Sequence, residues 1–207
     1  MILTIGATKG GVGKSTIATN LSVLAAQNGK SVLLVDADIQ ASSMAFRAIR
    51  EQDDIQAIQI TTATLHKDLT QFKQDWIIVD AGGRDSGTFR SAIMSSDILI
   101  IPCLPSSVDF WAADDVIEIL KEARVYKEID AYFILNQVIP KTKLASEIVE
   151  AMNVFNEHAS LLNSKLCSRI AYKNAFSEGK GVIETSDKKA AEEVKKLYNE
   201  IKKITGE

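Results

Sequence analysis

Ile2-Leu3-Thr4-Ile5, followed by Lys9-Gly10-Gly11-Val12-Gly13-Lys14-Ser15-Thr16, is the stretch on which the reading of the chain turns. After it, Ile17, Leu21, Leu24 and Ala25 recur at helical spacing up to Gly29. The order is therefore strand, phosphate loop, helix. Small residues at Gly10, Gly11, Val12 and Gly13 let the backbone close round a polyphosphate with its N–H groups turned inward, and the helix adds the positive end of its dipole. Lys14 supplies a charge for the outer phosphates and the Ser15 hydroxyl a magnesium ligand, with Thr16 beside them in the same binding turn. The bland alternative is a flexible glycine loop. Its placement between a strand and a helix argues against that.

The general pattern asks for a glycine where this chain has Thr8, and a second lysine, Lys9, opens the loop. In this the chain resembles the ParA/MinD family of deviant-Walker ATPases, whose K-G-G-x-G-K-[ST] signature is met at every fixed position from Lys9 to Ser15. The small plasmid-partition ParA proteins are the nearest in pattern. The resemblance implies that Lys9 acts in trans on the ATP of a second subunit. A solvated surface lysine is the alternative.

Composition sets the frame. The length, 207 residues, suits one well-buried domain spanning 1–207, and 46% hydrophobic with 25% charged residues is an ordinary globular balance. Cys103 and Cys167 stand far apart with no C-x-x-C spacing, which fits a reducing cytoplasm and two small core residues. No apolar run approaches the roughly 20 residues of a membrane span, and Met1 leads directly into the first strand, so no signal peptide is expected. The net charge of −3 is uneven: residues 165–207 hold ten Lys or Arg against seven acids, +3, which leaves −6 on the body. A mildly basic end on an acidic body can meet phosphate backbones non-specifically; solvated helix faces explain it equally well.

The second apolar run, Ser31-Val32-Leu33-Leu34-Val35-Asp36, makes a βαβ unit with the first, hence parallel strands buried on both faces. Ligands in such sheets collect at the carboxyl ends of the strands, which places Asp36-Ala37-Asp38-Ile39-Gln40 beside the phosphates. Capping of the next helix, near residues 41–50, is the competing explanation for the two acids. The segment is similar to the family's D-x-D-P-Q motif with Ile39 in place of proline. By that resemblance Asp36 belongs to the magnesium shell, Asp38 orients or activates the attacking water, and Gln40 belongs to a switch sensing the γ-phosphate.

Further on, Ile55, Ile58 and Ile60 suggest a short strand, and Leu65, Leu69 and Phe72 a short helix with His66 facing out. Neither His66 nor His158 has a metal partner in the sequence. Asp75-Trp76-Ile77-Ile78-Val79-Asp80 has the shape of a Walker B strand, whose terminal Asp80 can hold a magnesium-bound water or fix the loop hydroxyl. The adjacent Gly82 and Gly83 suit a loop that responds to nucleotide, and Arg84 is either a phosphate sensor or a structural ion-pair partner. Asp97 to Ile101 predicts a strand ended by Pro102, and Pro105 onward a helix to about Tyr126, with Ser107 or Asp109 near its start. Residues 102–110 resemble the proline-containing segment of small partition ParA proteins near nucleotide and dimer interface; plain capping explains Asp109 as well. Ala131 to Gln137 is a strand whose terminal Asn136 offers the donor and acceptor that reading an adenine edge requires. Its alternative is a turn residue. A helix over residues 144–159, a last strand over 166–170 and a helix over 187–204 complete the expectation. On that last helix Ala190, Ala191, Val194, Leu197, Tyr198, Ile201 and Ile204 form one stripe. Docking on the sheet fits it best, because its alanines and interspersed acids lack the bulk of a membrane anchor.

The fold implied is a doubly wound, mostly parallel α/β sheet with helices on both faces, a P-loop NTPase of the deviant Walker A type. The resemblance further implies a MgATP-dependent homodimer, slow partner-stimulated ATP hydrolysis, non-specific DNA binding and a ParB-like or adaptor partner; contact of Lys195, Lys196, Lys202 or Lys203 on the last helix with DNA is an addition to its docking. The cargo would be a plasmid, a chromosome or a protein compartment, in a cytoplasmic protein that is nucleoid-associated with ATP. A MinD-like membrane-directed ATPase, or a metabolic enzyme sharing the fold, is the alternative.

Overall fold

Seven strands form one sheet, and every pairing among them is parallel. They are β1 (Ile2–Ala7), β2 (Val32–Asp36), β3 (Gln56–Gln59), β4 (Trp76–Gly82), β5 (Ile98–Cys103), β6 (Asp130–Val138) and β7 (Ser160–Cys167). Their order across the sheet is β3-β2-β4-β1-β5-β6-β7. This computed structural model describes residues 1–83, 86–105, 107–140 and 152–207, with the backbone alone over 107–112.

Strand side chains alternate between two cores, as the period of two requires. Leu3, Ile5, Leu34, Ile78 and Ile100 face one side, where α1 (Lys14–Gln27), α6 (Ile170–Ser177) and α7 (Lys188–Thr205) pack. Leu33, Val35, Val79, Leu99 and Ile101 face the other, covered by α4 (Gly87–Ser95) and α5 (Ser107–Arg124). Both faces are dry, which is why these strands read as unbroken apolar runs. Shorter helices α2 (Ser42–Ile49) and α3 (Leu65–Asp68) complete the described set.

Several expectations are corrected. The last strand lies at Ser160–Cys167 and not at 166–170, where α6 begins. As an edge strand it has one buried row, Leu162 and Leu166, and polar Ser164 between them with apolar Leu161 on the opposite face obscures the alternation. Half of the helix expected over 144–159, residues 144–151, lies outside the described residues, while Asn153–Phe155 form a 3₁₀ turn. Helix α4 had no apolar periodicity to reveal it; Ser86 caps it by accepting from the Phe89 N–H at 3.1 Å, and Phe89, Ala92 and Ile93 bury it. Strand β5 continues through Pro102 to Cys103, because its pairing with β1 stops at Ile100 and only β6 lies beside it from there. His66 does not face out: it is half-buried with Nδ1 2.8 Å from the Ser91 hydroxyl. Cys103 is buried but Cys167 only half-buried. The apolar stripe of α7 is docked, with Ala190, Val194, Leu197, Tyr198 and Ile201 in the core.

Candidate nucleotide site

The loop between β1 and α1 sits at the carboxyl end of β1, between β4 and β5, with β2 beyond β4. Gly11 (φ 76°) and Gly13 (φ 94°) adopt left-handed backbone that a side chain would strain. Gly13 is doubly constrained, since a Cβ there would lie 2.1 Å from the Asn136 amide nitrogen. It caps α1 without a side-chain hydrogen bond, and no acid occupies the first turn. The first N–H groups of α1 thus keep their affinity for an anion. Lys14 is buried, and its Nζ donates to the Lys9 carbonyl at 3.2 Å, which folds it back along the loop. Ser15, Thr16 and Lys9 are half-buried, while Gly10 and Gly11 are exposed and Val12 is not.

The end of β6 braces this loop. Asn136 donates to the Val12 carbonyl at 2.7 Å and accepts the Gln137 N–H, and Gln137 donates to the Gly11 carbonyl at 2.8 Å. Asn136 is therefore brought to the site, with one amide hydrogen and one oxygen lone pair already engaged by the protein.

Parallel register puts Asp36 of β2 directly beside Asp80 of β4. Both are fully buried. Burial pushes the Asp36 carboxyl up against the opposing Met44 and Asp38 N–H bonds, and pushes Asp80 up to about 6, where the Ser15 and Ser43 hydroxyls and Lys14 hold it down and Asp36 adds repulsion. Asp36 accepts the N–H of Asp38 at 3.1 Å and of Met44 at 2.9 Å. Asp80 Oδ2 accepts the Ser43 hydroxyl at 2.7 Å, whereas its buried Oδ1 has no partner among the described residues.

Asp38 is half-buried and accepts the Gln40 N–H at 3.0 Å. A Cβ on Gly82 would lie 1.9 Å from Asp38 Oδ2 and 2.8 Å from Lys14 Cε, so only glycine lets this carboxylate and this lysine converge over β4. The sequence signal for it is Gly82, two positions beyond Asp80; this glycine is the last residue of β4 and not part of the loop expected there. Ser43 gave no signal. Arg84 lies outside the described residues, and the side chains of Ser107 and Asp109 outside the described side chains.

Among the described residues no three acid, His or Cys side chains gather into a metal site. A magnesium ion, which keeps several waters and uses one or two protein oxygens plus phosphates, does not need one. The Ser15 hydroxyl and the orphaned Asp80 oxygen fit such an ion, with Asp36 behind them.

A family model for the CobQ/CobB/MinD/ParA nucleotide-binding domain matches residues 3–182. The chain belongs to this family. Its ParA/MinD branch consists of ATPases, and its relatives match over most of their lengths. Maintenance of carboxysome distribution protein A from Halothiobacillus neapolitanus is 29% identical, covering 96% of this chain and 95% of the relative. Protein ParA from Rhizobium radiobacter is 24% identical over 86% and 83%. Among solved structures, the septum site-determining protein MinD from Pyrococcus horikoshii OT3, complexed with Mg-ADP, superposes with a TM-score of 0.79 at 21% identity, covering 99% and 97%. That likeness carries the fold alone; the family rests on the model matched over residues 3–182.

Proposed function

We propose that this ParA/MinD-family protein is a ParA-like positioning ATPase, in which MgATP closes two copies face to face and hydrolysis reopens them. The observation that carries the reading is the pair of lysines in one loop. Lys14 is folded inward over its own loop, and in this reading the second lysine, Lys9, serves a neighbouring subunit's triphosphate, as the resemblance to the family implies. In this reading Lys14 and the loop amides hold the phosphates, Ser15 and Asp80 with Asp36 hold magnesium, and Asp38 positions the attacking water. Bound magnesium would spread the negative charge of the transferring phosphate. Asn136 fixes the loop and, in this reading, contributes to nucleotide recognition.

The ATP dimer then binds DNA non-specifically through the lysine-bearing outer face of α7, and an adaptor of the ParB kind resets it by stimulating slow hydrolysis. For cargo, similarity over nearly the whole of a carboxysome-distribution relative favours a protein compartment over a plasmid or chromosome. The deciding experiment is mass in solution with ATP, with ADP and with neither, with and without duplex DNA. Doubling of mass with ATP alone, and salt-sensitive binding of arbitrary duplex by that species, are expected. A monomer under all three conditions overturns the reading, and ATP-dependent sedimentation with anionic liposomes in place of DNA binding turns it to the MinD type.

A further inference from the structure

Helix α2 begins without a cap of its own. Its N-cap residue, Ala41, is left-handed at φ 52° and offers no side-chain acceptor. The cap comes instead from the acid pair: Asp36 takes the Met44 N–H, and one residue earlier the Ser43 hydroxyl reaches Asp80. The first turn of α2 is thus built onto the two carboxylates that line the phosphate loop. Ser43 and Asp80 are both fully buried, so this contact exchanges with no solvent.

The Asp carboxylate is a planar group with two oxygens that turns as a unit about the Cβ–Cγ bond. With one oxygen bonded the torsion is fixed, and the other oxygen has one direction in which to find a ligand. We infer that Ser43 is a positioning residue for the magnesium site: its hydroxyl pins Asp80 Oδ2 and so presents Oδ1, which lacks a partner among the described residues, to the hydrated ion. The inference rests on the proposed MgATP reading. It assigns Ser43 no contact with nucleotide or reacting atoms.

The test titrates magnesium against a fixed concentration of ADP and reads the midpoint of the magnesium-dependent rise in unfolding temperature. Loss of an outer-shell partner of a metal ligand lowers metal affinity about 10–100-fold, so Ser43→Ala should raise that midpoint by about tenfold or more. ADP affinity without magnesium should stay within about twofold, because the phosphate-binding groups are untouched. Ser43→Thr, which keeps the hydroxyl, should recover a midpoint near wild type. Ser42→Ala makes the same atomic change one position earlier on α2 and should leave the midpoint alone. A Ser43→Ala midpoint equal to wild type, or an equal rise in both alanine variants, overturns the role of Ser43 while leaving the ATPase reading intact. Wild-type protein whose unfolding temperature ignores ADP and magnesium together overturns the parent reading and this inference with it.

Discussion

Asp80 is the residue at which folding and function pull in opposite directions. Its carboxyl is pushed up to about 6, chiefly by burial, so the folded state binds the proton more tightly than the unfolded chain does. The stabilisation this gives is complete below the ordinary Asp range near pH 4 and is lost as pH rises through 6. At pH 8 the unliganded protein therefore carries a buried, half-satisfied charge. Asp80→Asn should stabilise the nucleotide-free protein by about 1–3 kcal/mol at pH 8 and by much less at pH 4.5, on the scale of 1.36 kcal/mol per unit. The same variant should lose magnesium-dependent ADP binding; thermal unfolding at the two pH values, with and without MgADP, measures both. Lys9 and Lys14 separate at this scale too. Lys14→Ala should weaken ATP binding by about tenfold or more, as expected for removing a charge-assisted contact, while Lys9→Ala should keep affinity and lose hydrolysis. Equal loss of affinity in both, by equilibrium dialysis, would remove the trans role.

Among the elements, the edge strand β7 is closed by carboxylates of α7 and not by another strand. Glu200 accepts the N–H groups of Asn163 and Ser164, each at 2.8 Å, and Glu193 accepts that of Cys167 at 3.0 Å together with the Arg169 guanidinium and the Tyr172 hydroxyl. Burial alone would raise both acids, but these donors outweigh it and hold them below the ordinary Glu range. Their contribution is present above that range and is lost as pH falls through the lowered values. Glu200→Ala should cost about 1–3 kcal/mol, the penalty for leaving N–H groups without their acceptor, read as a lower urea midpoint at neutral pH. As pH falls through the lowered value of Glu200 the gap between variant and wild type should narrow, because the wild-type carboxylate becomes protonated. In α2 the left-handed Ala41 makes the opposite prediction. Ala41→Gly should stabilise the chain by about 1 kcal/mol, relieving a Cβ that this backbone disfavours.

Across the whole molecule, one side chain joins the switch side of the sheet to the C-terminal layer. Arg50, directly after α2, is fully buried and bonds Asp54, Glu184 and the Gly179 carbonyl. Gly179 is left-handed at φ 66°, and a Cβ on it would lie 2.6 Å from the Arg50 backbone nitrogen. Glu184 belongs to the turn that leads into α7, so removing Arg50 unties α2 from the α6–α7 layer. Arg50→Ala should cost about 3 kcal/mol, as for breaking a buried ion-pair network, and denaturant unfolding measures it. Asp38→Ala tests the molecular cycle from the other end. If Asp38 handles the water, the variant accumulates as the ATP-bound dimer in gel filtration, whereas normal turnover removes that role.

Read as a chain alone, the protein discloses its class of fold and its family resemblance, and nominates the residues of its site. The signature from Lys9 to Ser15 needs only local spacing to be recognised, and strands buried on both faces announce themselves as apolar runs without reference to their neighbours. Asp36 and Asp80 were legible because each ends such a run. What those groups touch follows from the assembled sheet: the register that sets Asp36 beside Asp80, the Asn136 brace under Val12, the meeting of Asp38 and Lys14 over Gly82, and the hold of Ser43 on Asp80. Tertiary packing also decided α4 and β7, whose burial comes from partners far along the chain. Spacing along a chain encodes one element at a time, whereas hydrogen bonds between residues 37 or 124 positions apart exist only once the sheet has assembled around them.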